Sequence, residues 1–111
     1  MPFLPATQRP PSKSRTVRFE GHTHGTGISF FAVDNDPGQG PPLHTHPYAE
    51  TWFVQEGRAR VQIGDEVYEA GPGDIGTAPP DTPHKFTNIG DGRLVIFCVH
   101  DAGTMVQVNL E

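Results

Sequence analysis

The sequence predicts an all-β domain, an antiparallel barrel or sandwich of roughly ten short strands. Three observations predict it. No long window places apolar residues at helical spacing. Glycine and proline are abundant, 13 and 12 of 111 residues, and one or other interrupts nearly every helical candidate. Between them stand short runs rich in β-branched and aromatic residues, which suit a pleated surface. A chain of 111 residues fits one compact domain. Closing so many strands into a double sheet hides edges that would otherwise pair with other chains.

Residues 1–15 carry Pro2, Pro5, Pro10 and Pro11 with few apolar side chains, so they read as a flexible arm ahead of a single domain over 16–111. The first five residues have neither a basic start nor an unbroken apolar stretch, so a secretory leader is not expected. Residues 16–20 and 28–34 read as strands, with Gly25 and Gly27 turning the chain between them. Residues 43–46, 50–55 and 58–63 follow. Pro47 cannot donate to a ladder, so Pro47 and Tyr48 mark a bend. Gly57 turns the fourth strand into the fifth, and Gly64-Asp65 is a two-residue hairpin signal into 66–70. Segments 74–77, 84–88, 93–100 and 104–110 complete the set.

The net charge of -5 hides an asymmetry. Arg9, Lys13, Arg15 and Arg18 all precede residue 19, and beyond it only Arg58, Arg60, Lys85 and Arg93 oppose 13 acids. Such an acidic body repels phosphates, which argues against nucleic acid as a partner. No segment has the apolar length of a membrane span. Cys98 is the single cysteine, so no intrachain disulfide can form, and a reducing compartment, the cytoplasm, is expected. Its place in the apolar run 94–99 marks it as a core residue and not a reactive thiol.

The chemistry-bearing residues are His44, His46, Glu50 and His84. On a strand, residues two apart share a face, so His44 and His46 project together from Cα atoms ~7 Å apart. Glu50 would open the next strand beside them. Mixed imidazole and carboxylate donors suit one divalent transition metal, whether Fe, Mn, Ni, Zn or Cu. His84 follows the rigid stretch Pro79, Pro80, Asp81, Thr82, Pro83, which would fix where its ring points. His22-Thr23-His24 repeats the local spacing, but Ile28 stands where the carboxylate would be and Thr16 where the first pair has Gly38. These two read as surface or turn residues. His100 ends an apolar run next to Asp101 and reads as a strand-end or capping histidine.

The frame around the ligands is as specific as the ligands. Gly38, five residues, His44-Thr45-His46, three residues, Glu50, six residues and Gly57 match the first motif of the cupin superfamily. Gly73, five residues, Pro79, Pro80, Asp81, two residues, His84, three residues and Asn88 resemble its second motif, with Asp81 in place of the usual glycine. Aspartate tolerates a left-handed turn better than most residues, so the turn is expected to survive the change. The short spacer between Gly57 and Gly73 resembles that of compact single-domain cupins. The resemblance implies a small jelly-roll barrel holding a divalent metal on His44, His46, Glu50 and His84, and a homodimer. Gly38, Gly57 and Gly73 are then turn formers, and Asp74 and Asn88 architectural. The superfamily spans dioxygenases, decarboxylases, isomerases, lyases and non-catalytic binders, so membership alone leaves the reaction open.

Counting by twos places Trp52 and Val54 inward from Glu50, Phe86 and Asn88 inward from His84, and Ala59, Val61 and Ile63 inward on the next strand. Trp52 and Phe86 are thus expected to wall the substrate pocket. No clear inward lysine, arginine or second carboxylate offers a dedicated acid or base, unless Tyr48 or Lys85 turns in from a loop. That weakens a sugar-nucleotide isomerase reading. It favours chemistry centred on the metal: a dioxygenase-type oxidoreductase acting on a small, largely apolar organic ligand. The alternatives are a non-catalytic metal or small-ligand binder, and a cupin isomerase or lyase.

Overall fold

A computed structural model describes residues 3–111. It is all-β, with ten strands in two antiparallel sheets and two single-turn 3-10 helices among the described residues. The strands are β1 (Val17–Glu20), β2 (Ser29–Asn35), β3 (His44–Thr45), β4 (Glu50–Glu56), β5 (Ala59–Ile63), β6 (Glu66–Ala70), β7 (Ile75–Ala78), β8 (His84–Asn88), β9 (Leu94–His100) and β10 (Val108–Asn109). One sheet has the order β1-β2-β9-β4-β7 and the other β10-β3-β8-β5-β6. This is the double-stranded jelly roll that the sequence predicts. Among the described residues no helix is long and apolar enough to cross a membrane.

Alternation builds the core. Along β4 the buried residues are Glu50, Trp52 and Val54, and along β9 Leu94, Ile96, Cys98 and His100. Val33 and Ala78 extend the apolar cluster within this sheet, and Ala59, Val61 and Phe86 close it from the facing one. Cys98 is buried within it, and burial pushes its thiol well up, which suits a core residue.

Turn chemistry matches the motif. Gly38, Gly57 and Gly73 all adopt positive φ (85°, 87° and 91°). Asp81 is the one non-glycine among the described residues that does so, at 61°. Its amide donates to the His46 carbonyl at 2.8 Å, which ties this turn to the metal-ligand strand. Asn88 is architectural as expected: it donates to Asn35 and Gly92 carbonyls and accepts from the Gly90 amide. Asp74 likewise caps a turn by accepting from the Gly71 amide.

The last strand is shorter than expected. Only Val108–Asn109 pairs, on β3, where the sequence suggests a strand from 104. The preceding amides bond elsewhere: Met105 donates to Glu20 and Val106 to the Tyr48 hydroxyl, so no ladder can form there. Residues 3–14 are exposed and include one 3-10 turn, Ala6–Gln8. Arg15, the next residue, is pinned to Asp34 and Asp36 at 3.2 and 2.6 Å.

Candidate metal centre

The sheets bring His44, His46, Glu50 and His84 together although they come from β3, the bend after it, β4 and β8. His44 pairs directly with His84 in the register of β3 and β8, and Glu50 is the first residue of β4. One donor atom from each of the four lies within 4.8 Å of all the others, and all four residues are buried. Two donors each ~2.1 Å from one ion are at most ~4.2 Å apart, so the widest pair needs to close by at most about 0.6 Å.

Hydrogen bonding orients the three rings. Nδ1 of His44 lies 2.7 Å from the Pro42 carbonyl, Nδ1 of His46 2.7 Å from that of Val106, and Nδ1 of His84 2.8 Å from that of Thr82. A carbonyl only accepts, so each Nδ1 carries the proton, and a neutral ring then has a bare Nε2. Nε2 of His46 and of His84 nevertheless lie 3.0 and 3.1 Å from Oε1 of Glu50. A carboxylate also only accepts. His46 Nε2 has no hydrogen-bond partner of acceptable geometry, despite its complete burial. Two imidazole nitrogens thus face one carboxylate oxygen, His84 Nε2 within hydrogen-bonding geometry and His46 Nε2 without a partner, and such convergence of donor atoms is what a cation requires, so the donor set fits a metal.

Electrostatics agree. Burial alone would raise the Glu50 carboxyl, but in the metal-free site hydrogen bonding from the His46 and His84 rings outweighs it and holds it at about 2, so Glu50 is an anion at neutral pH and a proton on either Nε2 is what a metal would displace. Burial lowers His44, which keeps that ring neutral and able to ligate.

His44, His46 and Glu50 form one wall of a cavity of about 540 Å³. Its apolar surfaces come from Phe31, Val33, Phe86 and Cys98, and its polar ones include Asn35, Gln39 and Gln107. Among the described residues that line it there is no lysine, no arginine and no carboxylate besides Glu50. The lining is therefore apolar near the cluster, as expected, but carries more uncharged polar groups than the sequence suggests.

The structure decides the placement of Trp52, Tyr48, Lys85 and His100. Phe86 does line the metal cavity, but Trp52 does not: its ring stands T-shaped to His84, centroids 5.2 Å apart, and it lines a second cavity of about 420 Å³ with Phe86. Tyr48 turns inward and stacks on His46 (centroids 5.0 Å, 10° between planes), whereas Lys85 turns outward to Glu111. His100 does end β9, as expected, but it caps nothing. It is buried, its Nδ1 lies 2.7 Å from the Tyr48 hydroxyl, and its Nε2 lies 3.5 Å from Glu50 Oε1. The alternation Leu94, Ile96, Cys98, His100 carried that signal, since the same count of two puts all four inward. His22 and His24 are exposed residues of the 3-10 turn Gly21–His24 and stay outside the cluster.

Residues 31–100 match the cupin domain, which is more than half of the chain and includes all four candidate ligands. The chain belongs to the cupin family. A 5-nitrosalicylic acid 1,2-dioxygenase of Bradyrhizobium is 31% identical over 92 residues, covering 79% of this cupin and 44% of the relative. An uncharacterized protein of Methanocaldococcus jannaschii is 40% identical over 57 residues, 50% of this chain and 46% of its own. This cupin thus spans less than half the length of these curated relatives. Among solved structures, a double-stranded β-helix protein of Klebsiella pneumoniae superposes with a TM-score of 0.74 at 26% identity, covering 93% of this chain and 90% of its own. The Bacillus subtilis oxalate decarboxylase, studied for its Mn(II) centres, gives 0.75 at 25% identity, covering 86% of this cupin and 27% of that chain.

Proposed function

We propose that this cupin is a metal-dependent enzyme of the dioxygenase type, which binds one divalent transition metal on His44, His46, Glu50 and His84 and acts on a small organic ligand in the adjoining cavity. The observation that carries the metal reading is the convergence of the His46 and His84 Nε2 atoms on one oxygen of a buried carboxylate, with His46 Nε2 left without a hydrogen-bond partner. The dioxygenase reading draws on the Bradyrhizobium relative and on a cavity without a dedicated charged base. When bound, the metal would act as a Lewis acid that polarises a chelating oxygen substrate. The chain's residues do the rest: Phe31, Val33 and Phe86 exclude water and pack an apolar ring, and Asn35, Gln39 and Gln107 offer uncharged donors and acceptors to its polar edge.

Oxygen uptake tests this reading. Protein loaded with iron(II), nickel(II) or manganese(II) should consume oxygen with at least one compound in a panel of phenols and dicarbonyls. Tight metal binding without uptake for any of them would exclude the dioxygenase. It would leave non-catalytic binding, a second reading that the same lack of a charged base favours.

We also propose a homodimer. The outer face of the β1-β2-β9-β4-β7 sheet is apolar where a solvated face would be polar. Phe19 stacks on Phe30 and Phe30 on Phe97, centroids 4.9 and 4.8 Å apart, while Phe97 is opposite Phe53 and Phe53 opposite Ile75 in register. Phe53 and Ile75 are 46% and 68% exposed in the single chain. A two-fold pairing of this face would cover the stripe with itself.

A further inference from the structure

We propose that His100 is a positioning residue for the metal centre and not a fifth ligand, holding the Glu50 carboxylate with an Nε2–H donor whose tautomer Tyr48 sets. The inference rests on the metal reading above. Four histidine rings crowd Glu50, and burial and distance alone do not tell their roles apart. Their hydrogen bonds do.

His44, His46 and His84 each present Nδ1 to a backbone carbonyl, which forces the proton onto Nδ1. His100 instead presents Nδ1 to a hydroxyl. The Tyr48 oxygen already accepts the Val106 amide at 3.3 Å, so its single proton is free to be donated to His100 Nδ1 at 2.7 Å. A neutral ring whose Nδ1 accepts carries its proton on Nε2. That nitrogen lies 3.5 Å from Glu50 Oε1, the same oxygen that His46 and His84 approach, within ion-pair reach but longer than a formed hydrogen bond, so the donation proposed closes this gap when Glu50 settles on the metal. Nε2 with a proton cannot ligate a cation, but it can donate to a carboxylate. The opposite tautomers of neighbouring rings therefore divide ligand from donor.

Packing holds the arrangement. Tyr48 lies flat on His46, and Phe31 meets His100 edge-on, centroids 5.6 Å apart. Val106 serves both halves: its carbonyl accepts from His46 Nδ1 at 2.7 Å and its amide donates to Tyr48. One residue of the C-terminal segment, through the two peptide groups that flank its Cα, thus sets the tautomer of a ligand and, through Tyr48, that of the donor. Outer partners of this kind orient a ligating carboxylate and tune its affinity.

The test uses the whole chain and Mn(II) or Zn(II) alone, with affinities from chelator competition. His100→Leu should weaken binding by ~10–100-fold, and Tyr48→Phe by about tenfold. His100→Gln should stay near wild type, because its amide nitrogen reaches the place of Nε2 and still donates. In metal-free wild type, 15N-edited spectra of the imidazoles should show His100 protonated on Nε2, a readout that needs no variant to fold. His100→Leu binding as tightly as wild type overturns the proposal, as does a proton on Nδ1. His100→Gln failing as badly as His100→Leu also overturns it, in favour of a direct ligand. Wild-type protein that takes up no metal overturns the metal reading itself, and this proposal with it.

Discussion

His46 Nε2 and Glu50 Oε1 lie 3.0 Å apart in a fully buried site, and neither atom is placed to give the other a hydrogen bond. Each prefers a cation to its neighbour. Close to one transition metal per chain should therefore bind. Truncating a ligand, as in His46→Ala or His84→Ala, should cost more than the ~10–100-fold that follows loss of an outer-shell partner. Metal at a hundredfold excess over Kd should stabilise wild type by about 2.7 kcal/mol, seen as a rise in Tm that His84→Ala does not show. A Tm that no divalent metal moves would refute the site.

The same burial predicts a pH dependence of the metal-free fold. His100 is held at about 4 by burial, against 6.5 unperturbed. Its folded pKa is depressed, so its contribution is complete above pH 6.5 and is lost as pH falls towards 4. The difference corresponds to about 3 kcal/mol. Glu50, depressed from 4.5 to about 2, adds a loss of the same sign over that lower window. Denaturant melts between pH 8 and 4 should show falling stability. In His100→Gln the first step should be smaller, and equal slopes in the two proteins would contradict the assignment.

Metal affinity should fall on the same side of neutrality for a separate reason. Protons compete for the Nε2 lone pairs, so binding should weaken as pH drops below ~6.5. Isothermal titration at pH 7.5 and 5.5 measures it, and unchanged affinity would count against histidine ligation.

Asp81 should yield to glycine without harm. A left-handed φ costs an L-residue ~1–2 kcal/mol, partly offset for aspartate, whereas glycine adopts it freely. Asp81→Gly should be neutral or up to about 1 kcal/mol stabilising, with metal affinity intact. Asp81→Val should destabilise by at least about 1 kcal/mol and loosen the turn that meets the His46 carbonyl. Chemical denaturation of the two variants checks the order.

The aromatic stripe predicts the oligomeric state. Light scattering should give a dimer for wild type and a monomer for Phe53→Glu, which places a charge within the apolar row, between Phe97 and Ile75. A wild-type monomer at ~100 μM would exclude the pairing, given the micromolar affinities such interfaces reach or exceed.

The ligand set and most of the strand segments were legible in the chain because both rest on local rules, whereas the order of the strands within the sheets was not. Spacing of two aligns His44 with His46, glycine marks turns of positive φ, and alternation sorts Trp52, Val54 and Phe86 inward. Even the Asp81 substitution was readable as a tolerated left-handed turn. What only the tertiary structure decided depends on contacts between distant segments. Tyr48 reaches His100 across 52 residues, and Val106 reaches His46 across 60, through hydrogen bonds that no periodicity encodes. Trp52 and Phe86 both point inward, yet the crossing of the two sheets assigns Trp52 to the second cavity and Phe86 to both. The chain by itself determined which residues could meet a metal. The folded sheets decided which ring nitrogen each histidine turns towards it, because a proton's place on imidazole is set by whichever partner the fold puts at the other nitrogen.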